Sequence, residues 1–185
     1  MTTTQVFIEL LMTGFGSLVW ILLFFLGING LGFEILLDME ISNAFLLPIA
    51  GFAYIIGIII DRIGFQIFKK KERKNINKVF FEDENRTSIQ LKVVYIIQNS
   101  DHLKSAIDYN RSRLRLARSW IINFFMISIS LILYLVLNHN VNIHTLLSLI
   151  GINITFCFLS FYTWNKLSSD YYKNIKSSFE NLKKV

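Results

Sequence analysis

Four long apolar stretches divide this chain, and each is close to or above the roughly 20 residues that a helix needs to cross a bilayer. They run from about Val6 to Ile28, Leu46 to Phe68, Ser119 to Leu137 and Ile143 to Trp164. The connection from Gly30 to Asn43 carries Glu34, Asp38 and Glu40 and no base, and the turn from Asn138 to Asn142 has only His139 as an ionisable group. The one sizeable polar region, Lys69 to Arg118, offers two helical patterns. Ile89 to Ile97 suits a short helix or a strand, with Asn85, Thr87 or Ser88 as caps, and the helix is preferred. The second pattern starts at the candidate caps Ser100 and Asp101 and meets no Gly or Pro, which predicts one rod from Asp101 to Leu137, about 55 Å long. Beyond the fourth stretch, Leu167, Tyr171, Ile175, Phe179 and Leu182 recur at helical spacing. That stripe predicts an amphipathic continuation packed on the rod or on a neighbouring copy of itself, with a helix flat on anionic lipid as the alternative. Pro48 is expected in the first turn of the second span.

Charge turns this pattern into a topology. All 19 Lys and Arg residues fall between Arg62 and Arg118 or between Lys166 and Lys184. Bases are retained on the cytoplasmic side, so both windows and both termini are expected inside, and the two short connections outside. The predicted fold class is an all-α membrane protein with four transmembrane helices, N-in/C-in. It comprises a transmembrane hairpin (1–68), a cytoplasmic basic helical insert (69–118), a second hairpin (119–165) and a cytoplasmic amphipathic tail (166–185). Trp120 and Trp164 are expected at the inner headgroup level. Met1 to Gln5 lacks a basic n-region, so the first stretch is expected to stay as a helix.

A mean hydropathy of +0.47 and 53% hydrophobic residues exclude an ordinary soluble domain. The net charge of +6 sits beside the spans, which favours anionic lipid over nucleic acid as partner. Cys157 stands alone in an apolar run, as a packing residue with no disulfide framework. No Gly-rich phosphate loop, H-E-x-x-H or C-x-x-C occurs and no nucleophile has a base, so no catalytic residue, metal site, cofactor or enzymatic activity is expected.

Two groups of residues carry candidate chemistry. Arg111, Arg115 and Arg118 fall within about 60° on a helix, beside Leu103, Ile107 and Leu114. They form either an anchor touching lipid phosphate or a phosphate-binding face for a headgroup or a nucleotide. Glu9, Asp61 and Arg62 interrupt apolar runs at the depth of Arg115 and Arg118, which predicts a layer of ion pairs joining the first three spans. Asp61 with Arg118 or Arg115 is the pair expected first, as a structural clamp rather than a proton relay. Gly14, Gly16, Ala53 and Gly57 allow close helix approach within or between subunits. The intramembrane polar set is thin: Thr13, Ser17, Asn123, Ser128, Ser130, Asn153 and Thr155. With no internal repeat or broken helix, a secondary transporter is disfavoured and any pore is expected between subunits.

The combination of four spans, DRIG (Asp61 to Gly64) ending the second and YNRSRLRLARSWIIN (Tyr109 to Asn123) leading into the third resembles small four-helix membrane proteins of bacterial anti-phage defence systems. The resemblance implies a multi-pass protein of the bacterial inner membrane that oligomerises and perturbs the membrane when a cytoplasmic protein partner or nucleotide signal triggers it. The expectation is a homo-oligomeric effector or channel gated through its cytoplasmic basic helices. The alternative is a non-conducting scaffold that recruits a soluble partner to the inner face.

Overall fold

The computed structural model describes residues 3–32, 43–80, 86–138 and 142–184, and these contain five helices and no strand. They are α1 (Thr3–Asn29), α2 (Asn43–Val79), α3 (Arg86–Asn99), α4 (Asp101–Leu137) and α5 (Ile143–Lys184). All but α3 are long and apolar enough to cross a membrane. The expected acidic connection with Glu34, Asp38 and Glu40, the candidate cap Asn85 and the turn residue His139 lie outside the described residues. Thr87 and Ser88 lie within the first turn of α3.

Local chemistry explains the helix limits. At the start of α4, the Ser100 side chain accepts the Leu103 N–H at 3.3 Å and Asp101 places negative charge on the first turn. Such a cap contributes about 1 kcal/mol. At its end, the Asn138 amide donates to the Tyr134 and Gly27 carbonyls. The second helix starts ahead of its expected span and continues past Phe68 through Lys69 to Lys74, because Lys, Arg and Glu are good helix formers and no breaker interrupts them. Pro48 therefore sits in its second turn. The missing N–H leaves the Ala44 carbonyl without its helical donor, at an exposed helix end.

Helix directions follow from the contacts. Glu9 meets Ser112, Ser17 meets Asn123 and Trp20 meets Ser130, so α1 and α4 run parallel. Gly14 faces Ala53 and Gly57 faces Leu10, so α2 is antiparallel to α1. Phe124 stacks on Phe156 and Cys157 Sγ donates to the Ile121 carbonyl, so α5 returns antiparallel to α4. The basic ends of α2, α4 and α5 consequently collect at the end of the bundle where α1 begins.

Two cores result. At the far end, Leu23, Leu26, Ile127, Leu131, Tyr134, Leu146 and Ile150 pack together. At the basic end, Phe80 from the end of α2, Ile89 and Ile96 of α3, Ile107 of α4, and Tyr172 and Ile175 of α5 form a second cluster. The amphipathic end of α5 is thus held within its own chain, by α2 and α3 as well as by the rod, and does not lie flat on a lipid surface. Tyr172, off the expected stripe, is buried because three helices surround α5 there, and its hydroxyl donates to Glu72 at 2.7 Å. Trp164 is also buried, its ring 4.7 Å from that of Phe68. The membrane-length faces of α2 and α5 stay open, with Leu47, Phe52, Ile67, Phe158 and Tyr162 exposed. A continuous apolar belt of this kind requires lipid or another subunit.

Candidate functional site

Where the apolar parts of α1, α2 and α4 meet the basic end, the structure assembles two ion pairs. The Arg118 guanidinium donates to Asp61 at 2.7 Å, and Arg115 donates to Glu9 at 2.9 Å. Glu9 also accepts the Ser112 hydroxyl, and Gln5 donates to Ser112 at 3.4 Å. Each helix turn supplies one partner: Ser112, Arg115 and Arg118 follow at the i, i+3, i+6 spacing that keeps them facing α1 and α2. Arg118 is 7% exposed and lies 5.4 Å from the Phe65 ring centroid. A void of about 10 Å³ between Glu9, Thr13, Asp61, Arg115 and Ser119 is of the size of one water. Two carboxylates and two guanidiniums leave this layer neutral, so it can sit at the edge of a low-dielectric region.

The layer divides the expected arginine stripe. Arg115 and Arg118 turn inward to carboxylates, while Arg111, one turn earlier, is exposed. A three-arginine phosphate face is therefore not presented, because two of its members already hold anions. Arg62 is exposed and, among the described residues, has no part in an ion pair: adjacent positions on a helix point about 100° apart, so Asp61 faces inward and Arg62 outward. Gly64 has a role that sequence reading missed. The Arg118 side chain crosses it, and a Cβ there would lie 3.3 Å from Arg118 Nε.

Above the layer, the α1–α4 seam is polar yet bonded. Asn123 donates to the Thr13 carbonyl at 2.9 Å, and the Ser17 hydroxyl lies between that carbonyl and Asn123 Oδ1. Ser130 donates to the Trp20 carbonyl and Tyr134 to that of Leu31, each at 3.0 Å. Gly16 makes room for the Asn123 amide, 2.6 Å from where its Cβ would be. Gly14 and Gly57 are occupied likewise: a Cβ at either would overlap the carbonyl of Ala53 or Leu10. These four small residues therefore serve contacts inside one chain. Ser128 bonds its own helix at Phe124, and Asn153 and Thr155 on α5 bond back to Leu149 and Gly151. Thr155 and Gly151 remain exposed.

A second feature lies between α4 and α5. A groove of about 370 Å³ runs along their basic half, with Arg113, Leu116, Ala117, Trp120 and Phe124 on one wall and Ser160, Thr163 and Leu167 on the other. Near it in the basic-end core, burial pushes the Tyr171 phenol above its ordinary value, with Arg111 pulling the other way. No group of three His, Cys, Asp or Glu residues that could hold a metal occurs among the described residues. No protein-family model matches the chain, and neither a curated protein nor a solved structure is detectably similar to it.

Proposed function

We propose that this multi-pass membrane protein is a homo-oligomeric effector or channel-like subunit, gated by its basic helical end. The observation that supports this most directly is mechanical. Three of the four apolar helices run unbroken into the basic-end cluster, and the Asp61–Arg118 and Glu9–Arg115 pairs sit at the joint. A partner or signal that moves α3 or the end of α5 would act on the bilayer-length segments through rigid helices and through a layer whose pairs are either made or broken. The chain's interior is filled: Ser17, Asn123 and Ser130 are fully buried and Tyr134 nearly so. Conduction would therefore pass between subunits, along the open faces of α2 and α5. The resemblance of DRIG and the arginine-rich stretch suggests phage defence in a bacterial inner membrane as the setting.

The scaffold reading has one observation of its own. On α3, Leu91 and Val94 are exposed opposite the packed face, a surface that a soluble partner could cover. Ion flux separates the two readings. Purified protein in liposomes is expected to release a trapped ion, and native mass spectrometry is expected to find oligomers; sealed liposomes with a monomer would leave only the scaffold. Orientation is tested separately. A cysteine at exposed Asn77, on a Cys157→Ser background, is expected to resist an impermeant reagent in intact cells, and labelling there would reverse the topology.

A further inference from the structure

We infer that the groove between α4 and α5 is a binding site for one anionic phospholipid, with the phosphate on Arg113 and an acyl chain along Trp120 and Phe124. This site differs from the arginine stripe and requires only that the helices cross a bilayer; it does not depend on conduction.

The groove is graded along its length. Arg113, Leu116, Trp120 and Phe124 recur at helical spacing on one face of α4, so the wall passes from charge to apolar over about 16 Å. The deep end abuts the Phe124–Phe156 ring stack, 5.5 Å between centroids. Ser160 and Thr163 set two hydroxyls on the opposite wall. The volume, about 370 Å³, is in the range of small-ligand sites, but the groove is open along one side. A nucleotide would need polar walls for its base and sugar, whereas here everything beyond Arg113 and the two hydroxyls is apolar.

Depth and charge agree with a phospholipid. The apolar run of α4 starts at Trp120, and headgroups occupy roughly 5–7 Å beyond the hydrocarbon. Arg113 lies seven positions before Trp120, about 10 Å along the axis. In this structure its guanidinium lies over Tyr109, one turn farther from the apolar run, and a rotamer change that swings the long side chain the other way covers the difference to the phosphate level. Arg113 is exposed, its guanidinium 5.3 Å from the Tyr109 ring centroid, and among the described residues no carboxylate pairs with it. That uncompensated cation complements the uncompensated phosphate of an anionic lipid better than a zwitterionic headgroup.

The test is native mass spectrometry of the full-length protein with phosphatidylglycerol or phosphatidylethanolamine added at matched concentration. The unmutated protein is expected to retain phosphatidylglycerol by about tenfold over phosphatidylethanolamine, the scale of one charge-assisted contact. Arg113→Gln should bring the ratio close to one. Arg111→Gln removes the same charge two positions away, outside the groove, and should keep the preference. Ala117→Phe, which fills the groove, should lower retention of both lipids. Equal retention of the two lipids, an equal loss in Arg111→Gln, unchanged retention in Ala117→Phe, or displacement of the lipid by inorganic phosphate would each overturn the site.

Discussion

Gly57→Leu is expected to abolish the folded subunit, and not merely its assembly. A Cβ at Gly57 would overlap the Leu10 carbonyl, and one at Gly14 would overlap the Ala53 carbonyl. Both obstacles are backbone, so no side-chain rotation relieves them, and the helices must separate along the whole α1–α2 crossing. Overpacking that side chains can absorb already costs about 1–3 kcal/mol, and a backbone collision exceeds that range. In lipid, where no hydrophobic force drives helices together, close packing is most of what joins α1 to α2. Size-exclusion yield in mild detergent is expected to fall to aggregate for Gly57→Leu and Gly14→Leu. Gly51 and Gly151 are the controls, because a Cβ at either meets nothing within 4 Å. Gly51→Leu and Gly151→Leu should leave the monomer fold intact, and any loss of oligomer in Gly151→Leu would place α5 at the subunit contact. Normal yield for Gly57→Leu would contradict the crossing.

The same glycines show where sequence reading stops. The spacing of Ala53 and Gly57 marks a flat helix face, but a flat face does not name its partner, and within-chain and between-chain packing look alike until α1 is placed against it. The four long helices are legible because an uninterrupted apolar run of bilayer length is uncommon in a helix that water must solvate. The start of α4 is legible because Ser100 and Asp101 have the chemistry of a cap. The continuation of α2 through Lys69 to Lys74 is less so, since a run of charge reads as the end of a span even though those residues favour helix. The fate of the arginines depends on the neighbours. A helical wheel brings Arg111, Arg115 and Arg118 together, but only the tertiary arrangement puts Glu9 and Asp61 beside the last two and leaves Arg111 in the open. Gly64 is invisible in the sequence for the same reason: its use is to let a side chain from another helix pass.

Asp61→Ala is expected to lower stability by about 3 kcal/mol, the low end for breaking a buried pair, because Asp61 retains some exposure while Arg118 has little. The loss arises mainly from the arginine left behind. Arg118 Nε is already buried without a hydrogen-bond partner, so the contact to Asp61 is the main compensation for its charge. Removing the stranded cation should therefore recover stability: Asp61→Ala with Arg118→Ala is expected to be more stable than Asp61→Ala alone. Arg115→Ala should not rescue, because Arg115 is held by Glu9, and its removal strands a second charge instead. Arg111→Ala, outside the layer, should leave stability and assembly unchanged. Thermal unfolding followed by size exclusion in detergent reads all four variants. If the layer is also the gate, folded Asp61→Ala should leak ions without any trigger, which the liposome assay reads directly. Rescue by Arg115→Ala equal to that by Arg118→Ala would show one shared network in place of two pairs, and unmutated stability and flux for Asp61→Ala would remove the layer from both the fold and the mechanism.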